Sequence, residues 1–261
     1  MPDLPPPALH PAFLRLPVAH RGLHDKAAGV VENSRAAVAA ALAAGYGIEI
    51  DIQRAADGEA MVFHDEALPR LTGASGLVAD HPAAVLGAMR LHGMAEGIPT
   101  LPEILALVAG RAPLLIEVKD QTGVLGPEVG PLEARVAELV AAYPGPVAVM
   151  SFNPHSVAAL AAAAPGVARG LVSCAFDGAD WSLPDYRRAE LANLVDAERT
   201  GSAFVSHDKD DLDNPAIARL RAEGLPILTW TIRSPAEELQ ARRIADNITF
   251  ERYRAPLPDG G

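Results

Sequence analysis

Short apolar runs alternate with Ala- and Leu-rich stretches along almost the whole chain. Leu16–His20, Tyr46–Gln53, Pro113–Val118, Pro146–Ser151, Val167–Val172, Ala203–Ser206, Leu225–Thr231 and Ala245–Phe250 read as strands. Helical stretches separate them, near Leu132–Ala142, Pro154–Ala163, Asp185–Leu194, Asn214–Glu223 and Pro235–Arg243. An earlier helix runs from a cap at Asn33 or Ser34 to about Ala44, with Gly45 as its stop. Another begins at Thr100, which caps it, with Pro102 and Glu103 in its first turn. Eight strands with intervening helices make the (β/α)8 TIM-barrel pattern of an α/β protein.

Two stretches break the alternation. Asp57-Gly58 is a turn signal that returns the chain through Ala60–His64 as a hairpin. From Asp65 to Ile98 periodicity is poor and glycine frequent, which predicts a small irregular insertion after the second barrel strand. No linker composition appears, so residues 1–261 are expected to form a single domain. A doubly wound open sheet is the structural rival. It is disfavoured because no G-x-G-x-x-G follows the first strand and the candidate chemistry lies at several strand ends.

That chemistry is concentrated in three groups: Val18-Ala19-His20-Arg21-Gly22, Glu49-Ile50-Asp51 and Val62-Phe63-His64-Asp65. Glu49 and Asp51 are two apart, so on a strand both side chains share one face. Two acids crowded together in a partly buried place repel each other and are tolerable chiefly with a cation between them. Glu117, near the end of the next barrel strand, adds a third carboxylate that can converge on the same mouth. An all-carboxylate set with no sulfur specifies a hard cation, Mg2+ or Ca2+. The alternative reading pairs Glu117 with Lys119 and leaves the other acids solvated. His20 and His64 are the candidate proton shuttles, since one neutral and one protonated imidazole can coexist near neutral pH, as phosphodiester cleavage needs. Arg21 and Lys119 supply fixed positive charge for a phosphoryl group. Glu32 orients Arg21 or simply precedes the helix cap. Trp230 floors the pocket or stacks on a cationic head group, or else packs in the core or rim.

Several tempting residues are set aside. His24, His81, His92 and His155 have no partner set at ligand spacing. Asp208–Asp213 lacks the glycine and glutamate of a calcium loop and reads as a solvated acidic loop. Cys174, the single cysteine, has no basic context and reads as inert; it also excludes an intrachain disulfide.

Composition narrows the function classes. The 261 residues are 49% hydrophobic but only 5% aromatic, so the core is built from Ala, Val, Leu and Ile. A net charge of -11 without a basic run disfavours nucleic acid and anionic membrane as partners. No apolar run is long enough to insert stably in a membrane, and Met1–Pro7 lacks the regions of a secretory signal. A cytoplasmic protein is the expectation, with its oligomeric state open.

Taken together, these residues resemble the glycerophosphodiester phosphodiesterase family. The resemblance runs through His20-Arg21-Gly22, Glu32-Asn33, Glu49–Gln53, Asp57-Gly58, Phe63-His64-Asp65, Leu68–Gly73, Ile98–Leu101, Ile116–Lys119, Ser151-Phe152 and Trp230-Thr231. It implies a TIM barrel with an insertion at about 65–98. It further implies a divalent metal on Glu49, Asp51 and Glu117, an acid–base pair of His20 and His64, and phosphate contacts from Arg21 and Lys119. The implied reaction hydrolyses small glycerophosphodiesters to glycerol 3-phosphate and an alcohol, with water or the glycerol 2-hydroxyl as first nucleophile. Val31, Arg233 and the loosely matching Ala245–Phe250 depart from the family pattern, and Ser202–Asp213 has no obvious counterpart. A related barrel phospholipase D-type enzyme acting on lysophospholipid or sphingolipid head groups is the alternative, as is a non-catalytic phosphodiester-binding barrel.

Overall fold

A computed structural model describes residues 7–177 and 181–258; most of the Pro-rich arm, Met1–Pro6, lies outside the described residues. The chain opens with α1 (Ala12–Arg15), β1 (Val18–Ala19), α2 (Arg35–Ala44), β2 (Gly47–Arg54) and β3 (Ala60–Val62). Then come α3 (Pro69–Thr72), α4 (Ala83–Ala88) and α5 (Leu101–Val108). The rest alternates strictly: β4 (Leu114–Val118), α6 (Pro131–Ala141), β5 (Val147–Ser151), α7 (Pro154–Ala163), β6 (Ala168–Ser173) and α8 (Asp185–Ala192). It finishes with β7 (Phe204–Asp208), α9 (Pro215–Ala222), β8 (Ile227–Ile232), α10 (Pro235–Ala241) and β9 (Asn247–Phe250). β1 pairs in parallel with both β2 and β9, so eight parallel strands close into a barrel, and β3 adds antiparallel to β2. The fold is the (β/α)8 TIM barrel that the alternation predicts.

The strands present opposite chemistry on their two faces. Ile48, Ile50 and Ile52 of β2 pack into the layer between barrel and helices with Ile116 and Val118, and all are fully buried. Each contributes about 1.5–3 kcal/mol of transfer free energy. The intervening residues point inward. At the lower end of the barrel these are apolar, Leu115, Phe204 and Leu228, closed from below by Phe13 of α1. Near the C-terminal ends they become Glu49, Asp51 and Glu117. The strand pattern thus gives a dry base beneath an ionic mouth.

The sequence places the first strand over Leu16–His20, but the ladder holds only Val18 and Ala19, and His20 begins the turn. Ser34, not Asn33, caps α2: its Oγ accepts from Ala37 N at 3.0 Å, and Gly45 ends the helix in the left-handed region. Thr100 and Glu103 form the reciprocal cap of α5, with Thr100 N donating to Glu103 Oε2 at 2.8 Å. Asp65–Ile98 is irregular, as expected, yet has its own core of Leu68, Leu86, Leu91 and Ile98 packed on Met61 and Phe63. Among the described residues no helix is long and apolar enough to cross a membrane.

Gly22 fixes how the first turn enters the barrel mouth. Its φ is +75°, and a Cβ there would lie 2.8 Å from the backbone carbon of Ala37 in α2. Left-handed strain and overlap with helix backbone act together. Gly22→Ala is expected to lower stability by about 3 kcal/mol, read as a fall in urea midpoint. An unchanged midpoint would show that α2 yields freely.

Candidate active site

The acidic centre is a property of strand register. Asp51 of β2 stands beside Glu117 of β4, and Glu49 lies two residues below Asp51 on the same inward face. Glu49, Asp51 and Glu117 are all buried, at 2%, 1% and 8% exposure. Each offers a carboxylate oxygen within 4.8 Å of the others. Burial, followed by repulsion from Asp51 and Glu117, pushes the Glu49 carboxyl well above the usual carboxylate range. Burial would do the same to Asp51, but Lys119 and Arg21 outweigh it and hold that carboxyl far below its ordinary value. The set is therefore short of positive charge at Glu49. Hard oxygen donors converging with excess negative charge fit a divalent cation.

Lys119, just past the C-terminal end of β4, borders this centre. Its Nζ lies 2.7 Å from Asp51 and 2.6 Å from Glu117, so the ammonium draws on two of the three carboxylates. Arg21, in the turn after β1, donates from its backbone N to Glu49 Oε2 at 2.7 Å. Its guanidinium reaches Glu32 at 2.6 Å, and its Nε stands 3.3 Å from Asp51. Glu32 thus does orient Arg21, and it also takes two hydrogen bonds from Arg70 of the insertion, at 2.9 and 2.7 Å. Burial favours the neutral Glu32 carboxyl, yet Arg70 and Arg21 together hold it at about 2.

That depression has a stability consequence. A carboxyl lowered in the folded state stabilises above its unfolded value, here near 4.5, and the contribution disappears as pH falls through about 2. It amounts to about 2 kcal/mol once solvent screening is allowed for. Glu32→Gln is expected to flatten this acid limb in a series of denaturation curves taken between these two pH values. A limb of unchanged steepness would assign it to other carboxyls.

The two candidate histidines are held in the same way from opposite sides. His20 Nδ1 lies 2.8 Å from Glu251 Oε2, just beyond β9. His64 Nδ1 lies 2.7 Å from Asp65 Oδ1, just beyond β3. A carboxylate on Nδ1 keeps the proton of the neutral ring there and leaves Nε2 as the basic nitrogen. Neither Nε2 has a hydrogen-bond partner among the described residues. Burial lowers His20 to about 4 against the opposing effect of its hydrogen bond to Glu251. Burial also lowers His64, with Asp51 opposing and Lys119 and Arg21 reinforcing the shift. Both shifts favour the neutral imidazole in the protein alone. An anionic ligand beside them is what would favour protonation.

Three partners escape the sequence reading. Glu251 is the first. Asn33 is the second: at φ +57° it turns its amide onto Asp51, with Nδ2 donating to Oδ2 at 2.8 Å and Oδ1 accepting from Asp51 N at 3.2 Å. His24, set aside above, is the third; its Nε2 stands 3.5 Å from Glu251 Oε2. The acidic loop after β7 is also more than a solvated link. It forms a 3-10 turn, and Asp211 Oδ2 lies 3.0 Å from Nε2 of the fully buried His207. Cys174 is buried, which pushes its thiol up to about 11 and leaves it protonated.

Trp230 sits beneath the mouth. Its Nε1 donates to Ser206 O at 3.1 Å, and its ring meets Phe152 edge-on at 5.6 Å. The cavity wall on the His64 side is made by Phe152 and Trp181, whose centroids are 5.4 Å apart. Trp181 lies in an irregular loop that gives no periodic signal.

Comparison with known proteins agrees with the barrel fold. The Oleispira antarctica phosphodiesterase solved in complex with the product sn-glycerol-3-phosphate matches with a TM-score of 0.74 at 24% identity, over 92% of this chain and 94% of that one. A glycerophosphodiester phosphodiesterase from Agrobacterium tumefaciens matches with a TM-score of 0.68 at 24% identity, over 90% and 96%. At these identities both show the fold. In sequence, a glycerophosphodiester phosphodiesterase of Caldanaerobacter subterraneus is 32% identical over 169 residues, 60% of this chain and 66% of that protein. The profile of the glycerophosphoryl diester phosphodiesterase family matches residues 20–252, from the first site histidine to the residue after Glu251. The chain therefore belongs to the glycerophosphoryl diester phosphodiesterase family of hydrolases.

Proposed function

We propose that this protein hydrolyses glycerophosphodiesters to glycerol 3-phosphate and an alcohol, with metal assistance and histidine acid–base catalysis. The observation that carries the reading is the pair of imidazoles, each held at Nδ1 by a carboxylate, flanking three converging carboxylates. Glu49, Asp51 and Glu117 would hold a divalent cation, Mg2+ or Ca2+. When bound, such an ion would relieve their mutual repulsion and supply positive charge to a phosphate oxygen.

The chain's own residues account for the rest. Arg21 and Lys119 bind the phosphate charge, Arg21 through its planar fork and Lys119 as a point charge. Glu32 fixes the fork of Arg21, and Asn33 fixes the rotamer of Asp51. One Nε2 takes the proton of the attacking water or glycerol 2-hydroxyl, and the other imidazole, protonated, gives its proton to the departing alkoxide. Glu251 and Asp65 stabilise whichever imidazolium forms. Phe152 and Trp181, backed by Trp230, give one half of the substrate an apolar wall.

The test is release of glycerol 3-phosphate from a panel of glycerophosphodiesters, first with EDTA and then with Mg2+ or Ca2+ restored. Metal-restored release supports the reading, and no release with any metal rejects it. The aromatic wall gives the phospholipase D-type alternative its one supporting observation. A lysophosphatidylcholine arm decides it, since faster turnover of the acylated compound than of glycerophosphocholine would favour that alternative.

A further inference from the structure

The mouth has a second cavity, of about 690 Å3, that opens from His20 and Arg21 away from His64. Its basic lining is Arg21, Lys26, Arg70, Arg233, Arg252 and Arg254, against Asp25, Glu32 and Glu251. Six positive charges facing three negative ones leave the wall at +3 in a chain whose net charge is -11. The carboxylates in it are already engaged. Glu32 holds Arg21 and Arg70, while Glu251 holds His20 and Arg233, with Arg252 at 3.3 Å. Asp25 accepts from the backbone N of Ala27 and Ala28. Lys26 and Arg254 are exposed and make no ion pair among the described residues. His24 Nε2, buried and without a hydrogen-bond partner, lines the same space.

A cation is the obvious alternative occupant, because His20, His24 and Glu251 bring ligand atoms within 4.8 Å of one another. Charge argues against it. Arg233 at 2.8 Å and Arg252 at 3.3 Å already share Glu251 Oε1, and a divalent ion would have to enter a wall of net positive charge. The opposite cavity, about 600 Å3, carries the reverse sign: Asp65, Glu66, Glu117 and Asp120 against Lys119, with Phe152 and Trp181. A diester held between His20 and His64 has one half on each side. The two walls sort those halves by charge.

We infer that the basic cavity receives a second phosphate carried by the alcohol half of the substrate. This rests on the phosphodiesterase reading above and narrows it to a substrate class: glycerophosphodiesters whose alcohol bears its own phosphate. A volume of about 690 Å3 is ample for a phosphorylated polyol.

The experiment compares kcat/KM for bis(glycerophospho)glycerol, which has two phosphodiesters on one central glycerol, with that for glycerophosphoglycerol, which has one. Glycerophosphoserine tests a carboxylate as the second anion, and Mg2+ is present throughout. The ratio of the first two substrates is expected to reach about tenfold at low salt. It should collapse toward the statistical factor of about two in about 0.5 M NaCl and in the Lys26→Ala/Arg254→Ala double variant. Glycerophosphoglycerol sets the baseline for each protein. A wild-type ratio near two, or one that survives the double substitution, overturns the inference. Preference for the seryl diester alone also overturns it, in favour of a carboxylate. Failure to hydrolyse glycerophosphoglycerol itself would instead reject the underlying phosphodiesterase reading.

Discussion

Replacing His20 or His64 with alanine is expected to lower kcat by about a hundred- to ten-thousandfold with little change in melting temperature. The fold should survive because neither substitution strands its carboxylate. Glu251 keeps Arg233 at 2.8 Å, and Asp65 keeps the hydrogen bond from Arg70 Nη2 at 2.9 Å. The double variant should be scarcely slower than either single one, since a proton taken at one ring and returned at the other is a joint operation. A burst or single-turnover measurement then separates the roles, because the two rings act on different protons. Turnover within a few-fold of wild type for either single variant would remove that ring from the mechanism.

Chelation is expected to have the second large effect, with turnover lost in EDTA and recovered on adding Mg2+ or Ca2+. The electrostatics of Glu49 supply an independent readout in stability. A carboxyl raised in the folded state binds its proton more tightly there than in the unfolded chain. Metal-free protein should therefore lose stability as pH rises above the ordinary value near 4.5, until the folded value is passed. A bound cation replaces that proton, so metal affinity should rise over the same range. The gap in melting temperature between loaded and chelated protein should widen with pH, corresponding to about 2.7 kcal/mol when the ion stands at about a hundred times its Kd. Glu49→Gln should weaken metal affinity by at least about tenfold and abolish the pH-dependent part of the gap. A gap that ignores both pH and this substitution would place the ion elsewhere.

The parts of the site legible in the sequence are those written in short range. Glu49 and Asp51 announce a shared face through their spacing of two, and Glu117 sits at the matching level of the next parallel strand. His64 carries its carboxylate as the adjacent residue. Glu251 carries no such signal, because it lies 231 residues from His20 and meets it only when the barrel closes. His24 carries no local signal for the same reason, since the partner that gives it a place is equally remote. Asn33 was hidden differently. Capping preference treats it and Ser34 as equivalent, and the choice is made by the left-handed backbone that turns Asn33 toward Asp51. The barrel alternation was clear because each strand is a separate apolar run. The two-residue length of β1 was not, since apolar character alone does not say where pairing stops.

The closure of the ring between β1 and β9 bears on biosynthesis. A ribosome makes His20 231 residues before Glu251, so a nascent chain holds the imidazole long before its acceptor exists. The contact between them then forms only when β9 docks against β1, and a chain released before that strand is made would hold His20 without its acceptor.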